Sequence, residues 1–243
     1  MSLPPHATSR LLAFDSSTDA LSVGVRLGEQ LWLHRGPGGA QASINLIACV
    51  LDLLRQAGLG LKDLEAIVFG RGPGSFTGLR TACAVAQGLA AGSGRPVLPI
   101  DTLLAVAEEG RRARPEARYI SAVLDARMDQ VYVQHFSVQG EQLQALQPGR
   151  VCAPEAIDWP ENEHAHVAAG NAQGAYGERL RPLPTGSAWL HALPTAEALL
   201  GLAPTRLACA VPAEQAQPLY IRDKVALTTQ ERAAAKASSA PHP

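Results

Sequence analysis

From Leu11 to His34 apolar residues come in short runs or at alternate positions, and turn-forming residues separate the runs. Three consecutive strands follow, at Leu11 to Asp15, Leu21 to Arg26 and Gln30 to His34, with Leu27-Gly28-Glu29 turning the last two into a hairpin. Gly36-Pro37-Gly38-Gly39 breaks the pattern, and the period then becomes helical. Ile44, Ile47, Leu51 and Leu54 recur at helical spacing between Ser43 and Ala57, and Gly58 supplies a stop. Ala66 to Phe69 predicts a short buried strand, followed by a glycine-rich loop and a helix from Phe76 to about Ala91. Val97 to Ile100 predicts another strand, and Thr102 is placed to cap a helix that ends near Gly110. The order β-β-β-α-β-α-β-α implies three antiparallel strands leading into right-handed crossovers, a mixed sheet with helices on its faces.

Beyond Gly110 the pattern starts again. Strands are expected at Arg118 to Leu124, Gln130 to Phe136 and Gln142 to Gln147, then a weak helix at Pro154 to Ile157 and a strand at His164 to Ala169. The run Asp15-Ser16-Ser17-Thr18-Asp19 is echoed by Asp125-Ala126-Arg127-Met128-Asp129, each with apolar residues before its first aspartate. A duplicated unit with an eroded second copy accounts for this, so the reading is an α/β chain of two related domains, residues 10–110 and 111–225. The apolar helix Ala196 to Leu202 is free to return toward the first domain. Residues 226–243 read as a solvated, disordered tail.

With 243 residues, 47% of them hydrophobic, the chain can bury a sizeable core. The formal net charge is −1, and the only lysines are Lys62, Lys224 and Lys236. That balance argues against the chain gripping nucleic acid alone. Arg111, Arg112, Arg114 and Arg118 cluster where a helix ends, a place where positive charge suits the dipole. No apolar run reaches the ~20 residues of a membrane span, and the first ten residues lack a secretory apolar stretch, so a cytoplasmic chain is expected. Cys49, Cys83, Cys152 and Cys209 form no C-x-x-C pair and read as free buried thiols.

Paired hairpins can clamp a nucleotide's phosphates if glycine lets backbone N–H groups approach the oxygens. Neither turn here has a glycine. Asp15 and Asp125 read first as turn-initiating aspartates bonded to nearby N–H groups. Asp15, Ser16 and Thr18 stay weak candidates for contact to a ligand, but tight ATP binding and hydrolysis by this chain alone is not expected. Gly70-Arg71-Gly72-Pro73-Gly74-Ser75-Phe76-Thr77-Gly78 lies between strand and helix without the Lys-Ser/Thr pair of a Walker motif. Ser75 or Thr77 can cap the helix and leave N–H groups free for an anion, or the loop is a rigid corner; both readings stand.

The helix after the loop carries no charge from Thr81 to Gly92 and consists mostly of small residues. A surface helix needs a polar face. This one predicts cover on two sides, by its own sheet and by a partner, with the Ser43 helix alongside. Ile44, Ile47, Leu51, Ala82, Ala86 and Leu89 are the candidate partner-binding residues, and an arginine at Ala86 would block the surface. Complete internal burial is the alternative. No H-E-x-x-H, G-x-S-x-G or Cys/His dyad is present, so neither a catalytic set nor a metal site is assigned. His164 and His166 share a strand face and read as an edge-strand pair rather than metal ligands.

Phe14-Asp15-Ser16-Ser17-Thr18, the Gly70 to Arg80 run, Ala86-Gln87-Gly88-Leu89-Ala90, Leu124 to Met128 and Pro218-Leu219-Tyr220-Ile221-Arg222 together resemble the bacterial TsaB (YeaZ) family. One departure is Ala42-Ser43, where the family often has His-Ser. The resemblance, over roughly residues 10 to 225, implies a duplicated actin/Hsp70-like (ribonuclease H-like) fold with a degenerate second domain. It also implies a non-catalytic subunit that activates TsaD for threonylcarbamoyl transfer to the tRNA adenosine beside the anticodon, in a complex with TsaE. On that reading the chain has no cofactor of its own, ATP and a metal ion belong to partner subunits, tRNA is met indirectly, and the chain alone can form a homodimer. An ATP-dependent phosphotransferase of the same fold is the alternative. A peptidase is disfavoured by the missing metal ligands.

Overall fold

The computed structural model describes residues 9–160 and 165–222. The solvated-tail reading and the predicted strand position at His164 lie outside them. Among the described residues two mixed sheets form. The first has β1 (Arg10–Asp15), β2 (Ala20–Leu27), β3 (Gln30–Pro37), β4 (Ala66–Gly72) and β5 (Val97–Asp101), in the order β3-β2-β1-β4-β5. β1 pairs antiparallel with β2 and parallel with β4, because a short hairpin joins the first pair and a helical crossover the second. The second sheet repeats the scheme with β6 (Tyr119–Arg127), β7 (Gln130–Gln139), β8 (Gln142–Ala145), β10 (His166–Gly170) and β11 (Ala188–His191), in the order β8-β7-β6-β10-β11. A short β9 (Arg150–Cys152) adds to β7. Equivalent strands thus fall at equivalent places in both sheets, which bears out the duplication seen in the Asp-x-x-x-Asp echo.

Alternation along β1 sends Leu12 and Phe14 to one face of the first sheet and Leu11 and Ala13 to the other. The first face is covered by α1 (Ala40–Gln56) and α2 (Phe76–Ser93), through Leu46, Val50 and Ala86 among others. The second face receives α5 (Ala196–Leu202), whose Leu199 and Leu200 join the core made by Val68 and Ile100. The chain therefore returns to the first sheet after completing the second. α3 (Thr102–Ala113) lies between the sheets, Leu103 and Val106 packing on Ile120 and Leu124 while Ala105 meets the α5 cluster. Among the described residues the outer face of the second sheet has only the short α4 (Ala172–Tyr176) and irregular segments, with Ile157 and Leu180 closing a small core. That thin cover is what degeneracy means physically.

Several local expectations are corrected. Thr102 does not cap α3: Asp101 holds the N-cap position without a side-chain cap bond, and Thr102 is the first helical residue, its Oγ1 accepting from the Gly72 N–H at 3.1 Å. His166 is not on an edge strand: β10 lies between β6 and β11, so the ring is buried. Cys209 is exposed, so the free thiols are not all buried. Pro154–Ala156 is a single 3-10 turn, and β9 and β11 were not foreseen, being too short to carry a period. The arginines at the end of α3 do meet acids, Arg111 on Glu108 at 2.7 Å and Arg112 on Glu197.

Candidate functional site

The two hairpin turns face one another across a cleft of about 330 Å³ between the sheets. Thr18, Asp19 and Phe76 line one side and Arg127, Met128 and Asn171 the other. In the first turn Asp15 is fully buried, and its Oδ1 accepts from the Ser17 N–H at 2.8 Å and from Ser17 Oγ at 2.7 Å. Burial pushes its carboxyl up to about 6, against the opposing pull of the Ser17 hydrogen bonds. Asp15 Oδ2 has no hydrogen-bond partner. Asp125 starts the second turn likewise, accepting from the Arg127 N–H at 2.7 Å and from the Tyr176 hydroxyl at 2.7 Å. Both aspartates are turn initiators, as their spacing suggested.

Several backbone donors at the cleft are bonded within the chain: Ser17 N–H to Asp15, Ser75 N–H to Ser17 and Arg127 N–H to Asp125. Ser75 N–H donates to the Ser17 carbonyl at 2.7 Å, so the glycine loop is tied to the hairpin turn and not left open. Gly74 and Gly78 lack side chains for that reason: a Cβ on Gly74 would lie 2.5 Å from the Ser17 carbonyl oxygen, and one on Gly78 would collide with that of Ser16. These contacts make the loop a rigid corner against the hairpin turn. Ser16 Oγ, fully buried, donates to the Gly78 carbonyl at 2.9 Å and is not free to meet a ligand, which corrects its candidacy. Thr18 lines the cleft while its Oγ1 accepts from the Ala20 N–H at 3.3 Å. Ser75 is the residue that caps α2, accepting from the Gly78 N–H at 3.5 Å; Thr77 is exposed on the first turn. Among the described residues no three His, Cys, Asp or Glu side chains converge as metal ligands would.

The outer surface of α1 and α2 is the second notable feature. α1 is apolar on two sides: Ala42, Leu46, Val50, Leu53 and Leu54 face the sheet, while Ile44, Ile47 and Leu51 are 77%, 50% and 52% exposed. Leaving three large aliphatic side chains half or more in water forgoes a good part of the ~1.5–3 kcal/mol that full burial of each contributes. On α2 the outward positions are Ala84, Gly88, Ala91 and Gly92, with Val85 and Leu89 half-buried. A Cβ at Gly88 or Gly92 would meet nothing within 4 Å. The two helices lie side by side, Ser43 Oγ 3.1 Å from Thr81 Oγ1. At the departure noted above, Ala42 is buried and Ser43 makes this bond.

Ala82 and Ala86 are corrected. Both are fully buried against the sheet, because the small residues of α2 alternate between its two sides and these belong to the inner one. An arginine at Ala86 would disrupt the core instead of blocking a surface. The reading "complete internal burial" is also too strong, since Ala84 and Gly88 stay exposed. A further cluster was invisible in sequence: Ser121 Oγ lies 2.6 Å from His135 Nδ1 and 2.8 Å from His166 Nε2, all buried in the second sheet. Burial lowers both imidazoles to about 4, with Arg150 adding to the effect on His135 and His135 to that on His166. Only strand pairing brings residues so distant in sequence together.

Two repeats of a hairpin-plus-crossover sheet, enclosing a cleft between their turns, define a duplicated actin/Hsp70-like α/β protein. A family model described as TsaD, tRNA N6-adenosine threonylcarbamoyltransferase, matches residues 36–238. Two curated relatives carry the name tRNA threonylcarbamoyladenosine biosynthesis protein TsaB. The one from Haemophilus influenzae is 35% identical over 88% of this chain and 94% of its own length. The one from Escherichia coli K12 is 31% identical over 89% and 96%. The solved structure of YeaZ from Pseudomonas aeruginosa superposes with a TM-score of 0.81 at 38% identity, covering 88% of this chain and all of the other. The chain belongs to the TsaB (YeaZ) family, within the wider TsaD-related group.

Proposed function

We propose that this chain is a non-catalytic subunit in tRNA threonylcarbamoyladenosine biosynthesis, working in the cytoplasm. It binds TsaD through the outer face of α1 and α2 and holds it in an active shape, in a complex that also takes up TsaE. TsaD then transfers threonylcarbamoyl to the adenosine beside the anticodon, with ATP and a metal ion held in the partner subunits. The name carried by the relatives supports the pathway. The observation that carries the docking role is the second apolar stripe of α1, Ile44, Ile47 and Leu51, beside the small outward residues of α2. Large aliphatic knobs beside a shallow strip of Ala and Gly suit close packing of another helix pair. A related partner, or a second copy when the chain is alone, presents such a pair.

The hairpin cleft supports the non-catalytic part of the reading, because the Ser17, Ser75 and Arg127 N–H groups are bonded internally. Ile47→Asp is expected to weaken co-purification with TsaD at least 100-fold, as loss of a central interface anchor does, while the free chain keeps its stability within about 0.5 kcal/mol. Reconstituted tRNA modification is expected to fall with it. Undiminished binding and modification by this variant would refute the docking face. ATP turnover by the pure chain would instead favour a phosphotransferase.

A further inference from the structure

The Pro218–Arg222 segment crosses the cleft and is bonded on both sides of it. Leu219 N–H donates to the Arg71 carbonyl at 2.7 Å, and Gly72 has no side chain where the Leu219 carbonyl presses against it. The Tyr220 ring lies 5.5 Å from that of Phe76, at the start of α2, and its hydroxyl accepts from Arg80 Nε at 3.2 Å. Those contacts belong to the first half. Ile221 then packs on the core of the second sheet with Leu103 and Tyr132. Arg222 reaches the second hairpin turn, donating to the Arg127 carbonyl at 3.2 Å and to Gln130 Oε1 at 2.6 Å, with Met128 Sδ at 3.3 Å.

The turn that Arg222 holds is strained. Arg127, Met128 and Asp129 have φ of 60°, 53° and 56°, three successive non-glycine residues in the left-handed region. Each costs about 1–2 kcal/mol relative to the right-handed conformation, so the turn needs support from outside itself. The Arg127–Asp19 pair across the mouth is 2.7 Å long, but both side chains are largely exposed, and such a pair contributes only about 0–1 kcal/mol. The Arg222 guanidinium, partly sheltered and forked over three acceptors on one turn, is the better restraint.

We infer that Pro218–Arg222 is an internal ligand: it couples the glycine loop of the first half to the strained turn of the second and sets the opening of the cleft, as a bound small molecule otherwise would. The two turns are therefore held together in the free chain, with no added nucleotide. Loosening the strap at either end is felt at the other.

Hydrogen–deuterium exchange on the full chain tests this, read separately over residues 71–80 and 125–131. Arg222→Ala removes contacts only to the second half, and Tyr220→Ala removes side-chain contacts only to the first. Each is expected to speed exchange at least tenfold in both segments while β1 and β4 stay protected. Arg222→Lys, which keeps the charge but not the fork, is expected to give an intermediate change and replaces Arg222→Ala should that variant unfold. Acceleration confined to the segment each residue touches would overturn the coupling, as would no change in either. Magnesium-ATP added to the unmodified chain is expected to leave both segments as they are. Tenfold protection by it would show that the cleft awaits a ligand and would overturn the proposal.

Discussion

The two halves share a strand order but defend their buried polar groups in opposite ways. In the first, Asp15 is sunk beneath a glycine loop with one oxygen unpartnered, so its folded carboxyl holds a proton up to a pH of about 6. In the second, the equivalent Asp125 is partly exposed and fully partnered, and the buried titratable groups are His135 and His166, which refuse a proton until about 4. One half contains an acid whose ionisation burial delays to about pH 6, the other two bases whose protonation burial delays to about pH 4. Duplication conserved the backbone path and left each copy to settle its own electrostatics.

The sharpest way to break this comparison is steric. Gly78→Ala drives a Cβ into the Ser16 carbonyl, a backbone group that cannot swing aside. It is expected to cost about 4 kcal/mol or more, or to prevent folding, in chemical denaturation. Next comes acid. An imidazole whose folded pKa is depressed lets the unfolded chain take up protons first, so stability is present above about 6.5 and is lost as pH falls toward 4. The loss is about 3 kcal/mol for each imidazole, read from denaturation midpoints across that range. Replacing both rings, His135→Phe with His166→Phe, should flatten that limb whatever it does to the absolute stability.

Asp15 works with the other sign. Its folded pKa is raised, so the unfolded chain ionises first and stability falls as pH rises from about 4 through about 6, by about 3 kcal/mol. The histidine limb rises over the same range and masks this fall, so the test is made with both rings already replaced by Phe. There Asp15→Asn should remove the fall between pH 4 and 6, and a fall that persists would show that the carboxyl is not its source. The smallest effect contrasts two glycines of one helix. Gly88, open to solvent, should accept alanine with a gain of about 1 kcal/mol in the free chain, where Gly78 cannot accept it at all.

Much of the first half was legible because its elements are long and its periods clean. Helix spacing in α1 and alternation in β1 and β2 need no tertiary knowledge. The second half was legible mainly through its echo of the first. β9 and β11 are too short to carry a period, and the environment of His166 depends on which strands flank β10. The docking face was half legible. Ile44, Ile47 and Leu51 are where a partner surface requires them, but the run of small residues in α2 looks alike on every side, and only packing separates Ala86 from Ala84. The Pro218–Arg222 motif was visible as a string and mute about its task.

Sequence alone determined the duplicated α/β plan, the turn-initiating role of both aspartates and the apolar surplus on α1. Those follow from local periodicity and from hydrogen bonds between neighbours, which act over a few residues. The tertiary structure decided which side of α2 is buried, what the glycines of the loop approach, how Ser121 gathers two histidines and where the chain's last described residues run. Each of these joins groups far apart along the chain, and such distances are fixed only when the sheets and helices pack together.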